Sequence, residues 1–549
     1  MKMVRCPAIL ASMLALLAWA PPVGAETAPA ISEPNLVETV KTLTGPAFEG
    51  RAPGTRGEDV TIGYLIGRLE ALGLKPAGPN GQWTQDVPLL RTRLGRDATA
   101  TISVSGKAQS WTFGQQFYAS TLQPKNRATI VNAPMVFVGY GVSAPERGWD
   151  DFKGIDLKGK VAVFLVNDPD FAAQKDEKVA GKFGGKAMTY YGRWTYKYEE
   201  AARRGAIGAL IIHHTDAAGY GWSVVNAPGG ENYGLVVPDK DVTSLRLQGW
   251  MASDAASALF RDAGLDLAKL RTSARTAAFR PVTLKDAHFS ADIAVEQEVV
   301  ISRNVLAMIP GSTRPQEVVT YGAHWDAYGE DPKEKESYRA GANDDGIGVA
   351  ALLEIARVMQ AGPRPQRSVL FGFWTAEERG LLGSEYYVRN PIVPLEKTVA
   401  NLGIDVLQTA GKAKNVILIG KGQSTLEDDL ARVAARQGRV VTAESLPERG
   451  LFFRADHFSF AKRGVPVLLA MGIAGASDLV EGGLPAGQAW VDDYTGRCYH
   501  KACDAYGPDW KLAGAMEDIE AMRIIGTELA NSQAWPGWKP GSEFAKVKR

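Results

Sequence analysis

Residues 317–326 read EVVTYGAHWD, and residues 367–378 read RSVLFGFWTAEE. Both runs are rich in β-branched and aromatic residues, which is typical of buried strands. Between them, GVAALLEIARVMQ (348–360) has apolar residues at helical spacing. Strands that alternate with such helices predict a mostly parallel sheet with helices on both faces.

The same alternation continues on both sides of these runs. Further strand patterns are NVLAMIP (304–310), TVANLGIDVLQ (398–408) and VPVLLAMG (465–472), and a long helix is predicted from about Leu512 to Leu529. The loop GRAPGTRG (50–57) separates two predicted N-terminal helices. The predicted fold class is therefore α/β, with a mostly parallel mixed sheet flanked by helices. Ligand sites of such sheets lie beyond the carboxyl ends of the strands.

The sequence pattern of residues 116–285 differs from that of the flanking segments and predicts a separate β-rich domain. Short strand-like runs such as APMVFVGYGVS (133–143) are separated by turns there. A chain of 549 residues is longer than the ~150 residues typical of one domain, so several hydrophobic cores are expected. We expect residues 35–115 and 286–535 to build the main sheet, with the β-rich domain inserted between them. The adjacent His213 and His214 of the insert are expected at the surface or in packing.

Charge and the N-terminal pattern bear on partners and location. Lys plus Arg (62) nearly balance Asp plus Glu (61), so no nucleic-acid partner is expected. Residues 1–25 have a basic start, an apolar run and the small-residue site Val23-Gly24-Ala25, which is the pattern of a cleaved signal peptide. The apolar run is shorter than the ~20 residues of a membrane span. We therefore expect export to the periplasm or beyond and no membrane span, with a retained anchor as the alternative.

The cysteines fit this expectation. Cys6 lies in the predicted signal peptide, whereas Cys498 and Cys503 remain in the mature chain. Because an exported chain meets an oxidising compartment, a local disulfide between these two residues is predicted. Two free thiols are the alternative.

Metal-type side chains recur where predicted strands and turns end: His324, Asp326, Asp344, Asp345, Glu377, Glu378 and Asp405. Burial of so many carboxylates without a counter-charge would cost several kcal/mol for each group, and a bound cation removes that cost. An ion-pair network with Arg339, Arg379 and Lys397 is the alternative. Mixed imidazole and carboxylate ligands favour zinc over calcium or magnesium.

Four motifs resemble those of one known family: HWD (324–326), GANDDGIG (341–348), AEERGLLGS (376–384) and CYHKACD (498–504). This is the co-catalytic di-zinc exopeptidase family, which includes secreted aminopeptidases, glutamate carboxypeptidase and glutaminyl cyclase. The resemblance covers about residues 300–530. The inserted domain is similar to the protease-associated domain, a non-catalytic module that covers or helps shape the substrate cleft in related peptidases.

The resemblance implies a binding site for two zinc ions. Asp344 would bridge the ions, His324 and Asp405 would complete one site, and Glu378 and His500 would complete the other. Each ion would keep an open position for a water and the substrate.

The resemblance also implies three residues that act beside the ions. Glu377 would be the general base that takes a proton from the attacking water and passes it to the leaving amine. Asp326 would hydrogen-bond the far nitrogen of His324 and fix its tautomer. Tyr499 would donate to the oxyanion of the tetrahedral intermediate, with a buried structural role as the alternative.

Two further histidines have open roles. Asp456 and His457 lie in RADHFSFAKRGVPVLL (454–469), which resembles a family segment whose histidine lines the active site without usually binding metal. We expect His457 to face the substrate or to support the ligands, with packing and zinc ligation as alternatives. His288 has no partner motif and is expected to be structural.

Together these features predict an exported, zinc-dependent aminopeptidase that hydrolyses N-terminal residues from peptides. A carboxypeptidase or a glutaminyl cyclase of the same fold is one alternative, and an inactive binding protein is another. Carboxypeptidases of the family use arginines to hold a substrate carboxylate, and whether Arg449 or Arg454 does so is left open. Asp456, Glu448 and a carboxylate of the inserted domain are the candidates for recognising a free N-terminus.

Overall fold

The structure is a computed structural model that describes residues 29–95, 97–331 and 337–549, so the predicted signal peptide at residues 1–25 lies outside the described residues. The α-helices of this part are α1 (Glu33–Leu43), α2 (Arg56–Ala71), α3 (Trp194–Arg203), α4 (Thr215–Ala218), α5 (Trp222–Asn226), α6 (Ser253–Asp262), α7 (Leu267–Ala274), α8 (Ile347–Ala361), α9 (Leu382–Arg389), α10 (Leu426–Arg436), α11 (His457–Ala461), α12 (Gly483–Asp493) and α13 (Ala513–Asn531). The strands are β1 (Lys75–Pro76), β2 (Thr84–Leu94), β3 (Thr99–Val104), β4 (Lys107–Thr112), β5 (Phe117–Ser120), β6 (Arg127–Phe137), β7 (Ser143–Ala144), β8 (Trp149–Asp150), β9 (Val161–Leu165), β10 (Gly208–Ile212), β11 (Glu231–Leu235), β12 (Leu247–Met251), β13 (Val282–Ile309), β14 (Arg314–His324), β15 (Gly329–Glu330), β16 (Tyr338–Arg339), β17 (Arg367–Trp374), β18 (Thr398–Ile404), β19 (Asn415–Leu418), β20 (Val440–Ala443) and β21 (Val467–Ala470).

The main sheet has a parallel centre. Strands β21, β18, β14 and β17 are parallel neighbours in that order. Strands β13, β2 and β11 extend the sheet in antiparallel pairs beyond β17. The predicted mixed α/β class is confirmed, and its parallel part holds the strands that end at the metal-type residues.

Side chains of a strand point alternately to the two faces of a sheet. In this sheet, helices cover both faces. Phe371 of β17 packs in the core that contains α1, α8 and α13. Its neighbour Leu370 packs in a second core that contains α9 and α11. No helix in the described ranges has the length and apolar character that would let it cross a membrane.

Strand β13 passes through both domains without interruption. Its first half pairs with β3 and β6, and Ala294 is the last residue in register with β6. From Val295 onward it pairs with β2, and from Val305 also with β17. The boundary that we predicted between residues 285 and 286 therefore falls inside a strand, and the change of partner comes about nine residues later.

The insert also begins earlier than the predicted residue 116. Strands β3 and β4 pair with each other, and β3 pairs with the first half of β13. The insert is less purely β-structured than expected, because β6, β9, β10 and β12 are parallel neighbours and α6 packs on them. In the insert, the imidazole of His213 is buried against Trp222 and Trp250, which is a packing role.

Asp151 gives the insert a pH-dependent stability. Its buried carboxylate accepts hydrogen bonds from the Val142 N–H at 2.9 Å and the Trp149 indole at 2.7 Å. Burial raises the pKa of Asp151 to about 7, above the ~3.9 of an unfolded chain. Between these values the folded state binds more protons than the unfolded state, so the free energy of unfolding falls as the pH rises.

We expect Asp151→Asn to reduce this fall between pH 4 and pH 7 by roughly 2–4 kcal/mol, because the amide does not ionise. Urea unfolding at the two pH values measures the difference. Burial raises the pKa of Asp168 to about 7 as well, so the slope is reduced rather than removed. Asp254→Asn, at an exposed carboxylate of the insert, is the matched control and should leave the slope unchanged. An unchanged slope in Asp151→Asn would contradict the assignment.

Candidate metal centre

The first ligand cluster forms where β14 ends. His324 is the last residue of that strand, and its imidazole is buried. Its Nε2 lies 3.1 Å from Oδ1 of Asp344 and 3.9 Å from Oδ1 of Asp405. Asp405 directly follows the neighbouring parallel strand β18, which explains why residues 81 positions apart meet.

The second cluster forms on the other side of Asp344. Nε2 of His500 lies 3.1 Å from Oδ2 of Asp344 and 3.4 Å from Oε2 of Glu378. His500 is 29% exposed, so this side of the centre is the more accessible one. One carboxylate thus faces both imidazoles, each with a different oxygen, and the five predicted ligands lie together.

Asp345 is a further acid in the first cluster. One ligand atom each of His324, Asp345 and Asp405, a ring nitrogen of the histidine and a carboxylate oxygen of each aspartate, could be reached by a single ion, and the same holds for Asp344, Glu378 and His500. Both oxygens of Asp345 already accept main-chain hydrogen bonds, however, at 3.2 Å from the His324 N–H and at 2.9 Å from the Gly348 N–H. Those bonds fit a role in holding the strand end and the start of α8.

The electrostatics of the centre fit bound cations. Oδ1 of Asp405 is buried without a hydrogen-bond partner in the described part of the chain. Burial raises the pKa values of Glu377, Glu378 and Asp405 well above their usual range, and neighbouring carboxylates raise them further. Burial opposes ionisation of Asp344 too, but the contacts with His324 and His500 hold its pKa below the usual range. Such an excess of buried acid over imidazole is stabilised when metal ions supply positive charge.

Asp326 differs from its predicted role. Nδ1 of His324 lies 3.0 Å from the main-chain oxygen of Asp326 and 3.6 Å from its carboxylate. The carboxylate instead accepts from the N–H groups of Glu377 at 3.0 Å and of Glu378 at 3.4 Å. The chain turns immediately after β14, which brings the carbonyl rather than the carboxylate to the ring. Asp326 therefore ties the histidine to the turn that carries the two glutamates.

Glu377 and Glu378 lie in the turn after β17 rather than at its last residue, since that strand ends at Trp374. Oε2 of Glu377 lies 3.9 Å from Nε2 of His324, and the side chain is 9% exposed. Oε2 of Glu378 points toward His500 instead. The two adjacent carboxylates thus lie near different histidines, Glu377 near His324 and Glu378 near His500.

The tail motif forms a tight turn beside His500. The structure joins Cys498 and Cys503 in a disulfide, and His500 has a left-handed backbone with φ +62°. The rings of Tyr499 and His500 lie 3.7 Å apart between centroids. Burial, followed by the charge of Asp344, raises the pKa of Tyr499 well above its usual range, so its hydroxyl keeps its proton at neutral pH and can donate.

His457 is enclosed by neighbouring side chains. It is buried, and its ring packs at 5.0 Å from that of Phe452. Burial lowers its pKa to about 3. The packing alternative is therefore favoured, and α11 separates His457 from the strand it was expected to precede. His288 lies on β13 opposite Ser103, which is consistent with a structural role.

Tyr328 is a residue that the sequence did not indicate. Its hydroxyl lies 3.1 Å from Nδ1 of His500, on the opposite side of the ring from Asp344. Burial, followed by the charge of Glu378, raises the pKa of the Tyr328 hydroxyl well above its usual range. A partner at Nδ1 fixes which imidazole nitrogen is free to bind a metal. The only signal was its position four residues after His324.

We expect Tyr328→Phe to weaken zinc binding at the Glu378 and His500 site about tenfold, because the imidazole loses the contact that orients it. Competition with a chelator measures the affinity of each ion. Tyr64→Phe, which removes a hydroxyl from α2, is the control and should bind zinc like the wild type. Equal affinities in both variants would show that the hydroxyl does not orient His500.

Arg51 is a second unpredicted residue. Its side chain is fully buried and donates to the carbonyl oxygens of Trp325 at 2.7 Å and Gly341 at 2.9 Å, and also to that of Ala340. These carbonyls lie directly after His324 at the end of β14 and in the segment that leads to Asp344. Arg51 therefore links the two segments on either side of the centre. Nothing in the sequence of residues 50–57 indicated this role.

The part of the chain that holds the centre is similar in sequence to known proteins. Residues 304–523 match the profile described as Peptidase family M28. Leupeptin-inactivating enzyme 1 of Streptomyces exfoliatus is 32% identical over 207 residues, which cover 37% of this chain and 43% of that protein. An aminopeptidase of Pseudomonas aeruginosa (strain UCBPP-PA14) is 31% identical over 235 residues, which cover 40% of this chain and 39% of that protein.

Among solved structures, an aminopeptidase from Aneurinibacillus sp. strain AM-1 is 20% identical, with a TM-score of 0.46 over 94% of this chain and 96% of that chain. The two curated relatives named above match this chain over less than half of their own length. The matched part includes all five predicted metal ligands.

Proposed function

We propose that this chain, whose residues 304–523 match peptidase family M28, is an exported di-zinc aminopeptidase that removes N-terminal residues from peptides. The observation that carries the proposal is the position of Asp344, whose two oxygens each lie 3.1 Å from a different imidazole. A carboxylate in that position suits a bridge between two cations, and each histidine has a second acid beside it.

The residues that would hold the ions fall into two groups around Asp344. His324 and Asp405 would hold one ion, and Glu378 and His500 would hold the other. A pair of zinc ions supplies Lewis acidity toward the substrate carbonyl and lowers the pKa of water. Asp326, through its bonds to the turn of Glu378, and Tyr328, through His500, would keep the ligands in place.

Glu377 would move the proton. Its Oε2 lies 3.9 Å from Nε2 of His324, but Glu377 belongs to neither of the two three-residue groups whose ligand atoms a single ion could reach. As general base, its carboxylate would take a proton from the attacking water and pass it to the leaving amine. Burial favours such proton transfer near neutral pH because it raises the pKa of the carboxyl group. The Tyr499 hydroxyl would donate to the oxyanion that forms on the substrate.

Export is the second part of the proposal. The disulfide between Cys498 and Cys503 supports it, because such bonds persist in oxidising compartments. The signal-peptide pattern at residues 1–25 points the same way. Periplasmic or extracellular peptides are the proposed substrates.

Zinc analysis of the purified protein together with matched peptides tests this function. We expect about two zinc ions per chain, and cleavage of tripeptides with a free amine but not of their N-acetylated counterparts. Cleavage of the acetylated set as well as the free-amine set would favour a carboxypeptidase, and conversion of N-terminal glutamine would favour a glutaminyl cyclase. Full activity after thorough chelation would overturn the proposal.

A further inference from the structure

Tyr233 of the insert lies beside the turn that carries the two glutamates. It belongs to β11, which comes from the insert in sequence but pairs with β2 of the main sheet. Its ring packs against a small apolar core that contains Ala376 and Leu382. Ala376 directly precedes Glu377, and Leu382 begins α9. One strand of the insert thus reaches the turn that supplies a predicted metal ligand.

The side chains around Tyr233 restrict its movement. Arg91 is its partner in the register of β2 and β11, and the guanidinium lies 5.9 Å from the centroid of the Tyr233 ring. Glu231 is on the same face of β11, two residues earlier, and pairs with Arg91 at 2.7 Å and with Arg93 at 2.6 Å. Tyr233 is therefore a fixed point on the insert rather than a free surface ring.

Arg379 contacts one tyrosine ring from each domain. It directly follows Glu378, and its guanidinium carbon lies 5.1 Å from the centroid of Tyr233 and 5.3 Å from that of Tyr328. A guanidinium within about 6 Å of an aromatic centroid is attracted to the face of the ring. Nε of Arg379 has no hydrogen-bond partner in the described part of the chain. The two ring contacts therefore contribute to the position of this side chain.

The second of these rings contacts a predicted metal ligand. The Tyr328 ring lies 4.8 Å from the imidazole of His500 between centroids, and its hydroxyl lies 3.1 Å from Nδ1. The bond from the ring to the hydroxyl oxygen lies in the plane of the ring. A contact that fixes the Tyr328 ring therefore also fixes the direction of its hydroxyl, and with it the partner of Nδ1.

We propose that Tyr233 and Arg379 are positioning residues for the metal centre. They hold Tyr328, and through it the imidazole of His500, in the orientation that binds zinc. The insert thereby sets the zinc affinity of the Glu378 and His500 site, whereas the other site does not depend on it. This inference rests on the proposed di-zinc function. A charge effect would have the opposite sign, because a cation near a zinc site weakens zinc binding and its removal strengthens it.

Tyr233→Leu tests the inference, because it removes the ring and leaves every charge of the centre in place. We expect the zinc affinity of the Glu378 and His500 site to fall about threefold, as loss of a cation–π contact predicts, with the other site unchanged. Tyr233→Phe keeps the ring and should bind zinc like the wild type. Tyr191→Leu removes another insert ring, 5.8 Å from the guanidinium of Arg147, and is the matched control.

Competition with a chelator gives the two zinc affinities, and His500→Ala, which should keep only the other ion, identifies which affinity belongs to which site. Combination with Tyr328→Phe shows whether the effect passes through the hydroxyl. In that background, Tyr233→Leu should lower the affinity no further. Arg379→Met is the second variant if Tyr233→Leu does not fold, and it should weaken the same site alone.

Several outcomes would overturn the positioning role but leave the di-zinc proposal intact. These are an unchanged affinity in Tyr233→Leu, an equal fall at both sites, or an undiminished further fall in the Tyr328→Phe background. Stronger zinc binding at both sites in Arg379→Met would mean that the charge of Arg379 acts on the ions rather than its ring contacts. A wild-type protein that binds fewer than two zinc ions would overturn the proposed function itself.

Discussion

Substitution of Glu377 by Gln is expected to lower kcat by about 10³-fold while leaving the zinc content unchanged. Gln has the same shape as Glu but cannot accept a proton from water at neutral pH. The two expected results separate a base from a ligand, because loss of a ligand would lower the zinc content too. Glu377 lies 3.9 Å from His324, whereas its neighbour Glu378 is grouped with Asp344 and His500.

The experiment combines steady-state kinetics with metal analysis of the same preparation. Glu385→Gln, which breaks an ion pair with Arg389 on α9, is the control for a Glu to Gln change in the same region. That control should keep both activity and zinc. Wild-type activity in Glu377→Gln would remove the proposed base, and loss of zinc in that variant would make Glu377 a ligand.

The sequence was informative where a physical rule links it directly to structure. Alternation of apolar strands and helices predicted the parallel centre, because parallel strands need helical crossovers. Since the carboxyl ends of such strands meet, His324 and Asp405 were expected near each other, and the structure brings them within 3.9 Å. Their roles as metal ligands remain a proposal.

Other features depend on contacts between distant segments, and no local pattern signals them. Strand β13 reads as one apolar and polar alternation although its two halves belong to different sheets, so the predicted boundary at residue 285 fell within it. The Asp326 carbonyl at the ring of His324 depends on the direction of a turn. Arg51 donates to backbone carbonyls more than 270 residues away. Because every residue has such a carbonyl, the sequence does not show which ones an arginine will contact.

The second large effect concerns Asp344, and it tests the bridge directly. If one carboxylate is shared by both ions, Asp344→Ala removes a ligand from each site at once. We expect the zinc content of this variant to fall from about two ions per chain to below one. Because the ions supply several kcal/mol to the reaction, activity should fall by about 10³-fold or more.

Two comparison variants make the result specific. His500→Ala removes a ligand from one site only, so about one zinc ion should remain. Asp345→Asn should keep about two ions, since its oxygens accept from the N–H groups of His324 and Gly348 and its loss acts on folding stability instead. Loss of both ions from Asp345→Asn, with zinc retained in Asp344→Ala, would exchange the roles of the two neighbouring aspartates. Equal zinc loss in Asp344→Ala and His500→Ala would instead mean that no carboxylate is shared, because an unshared ligand can empty only its own site.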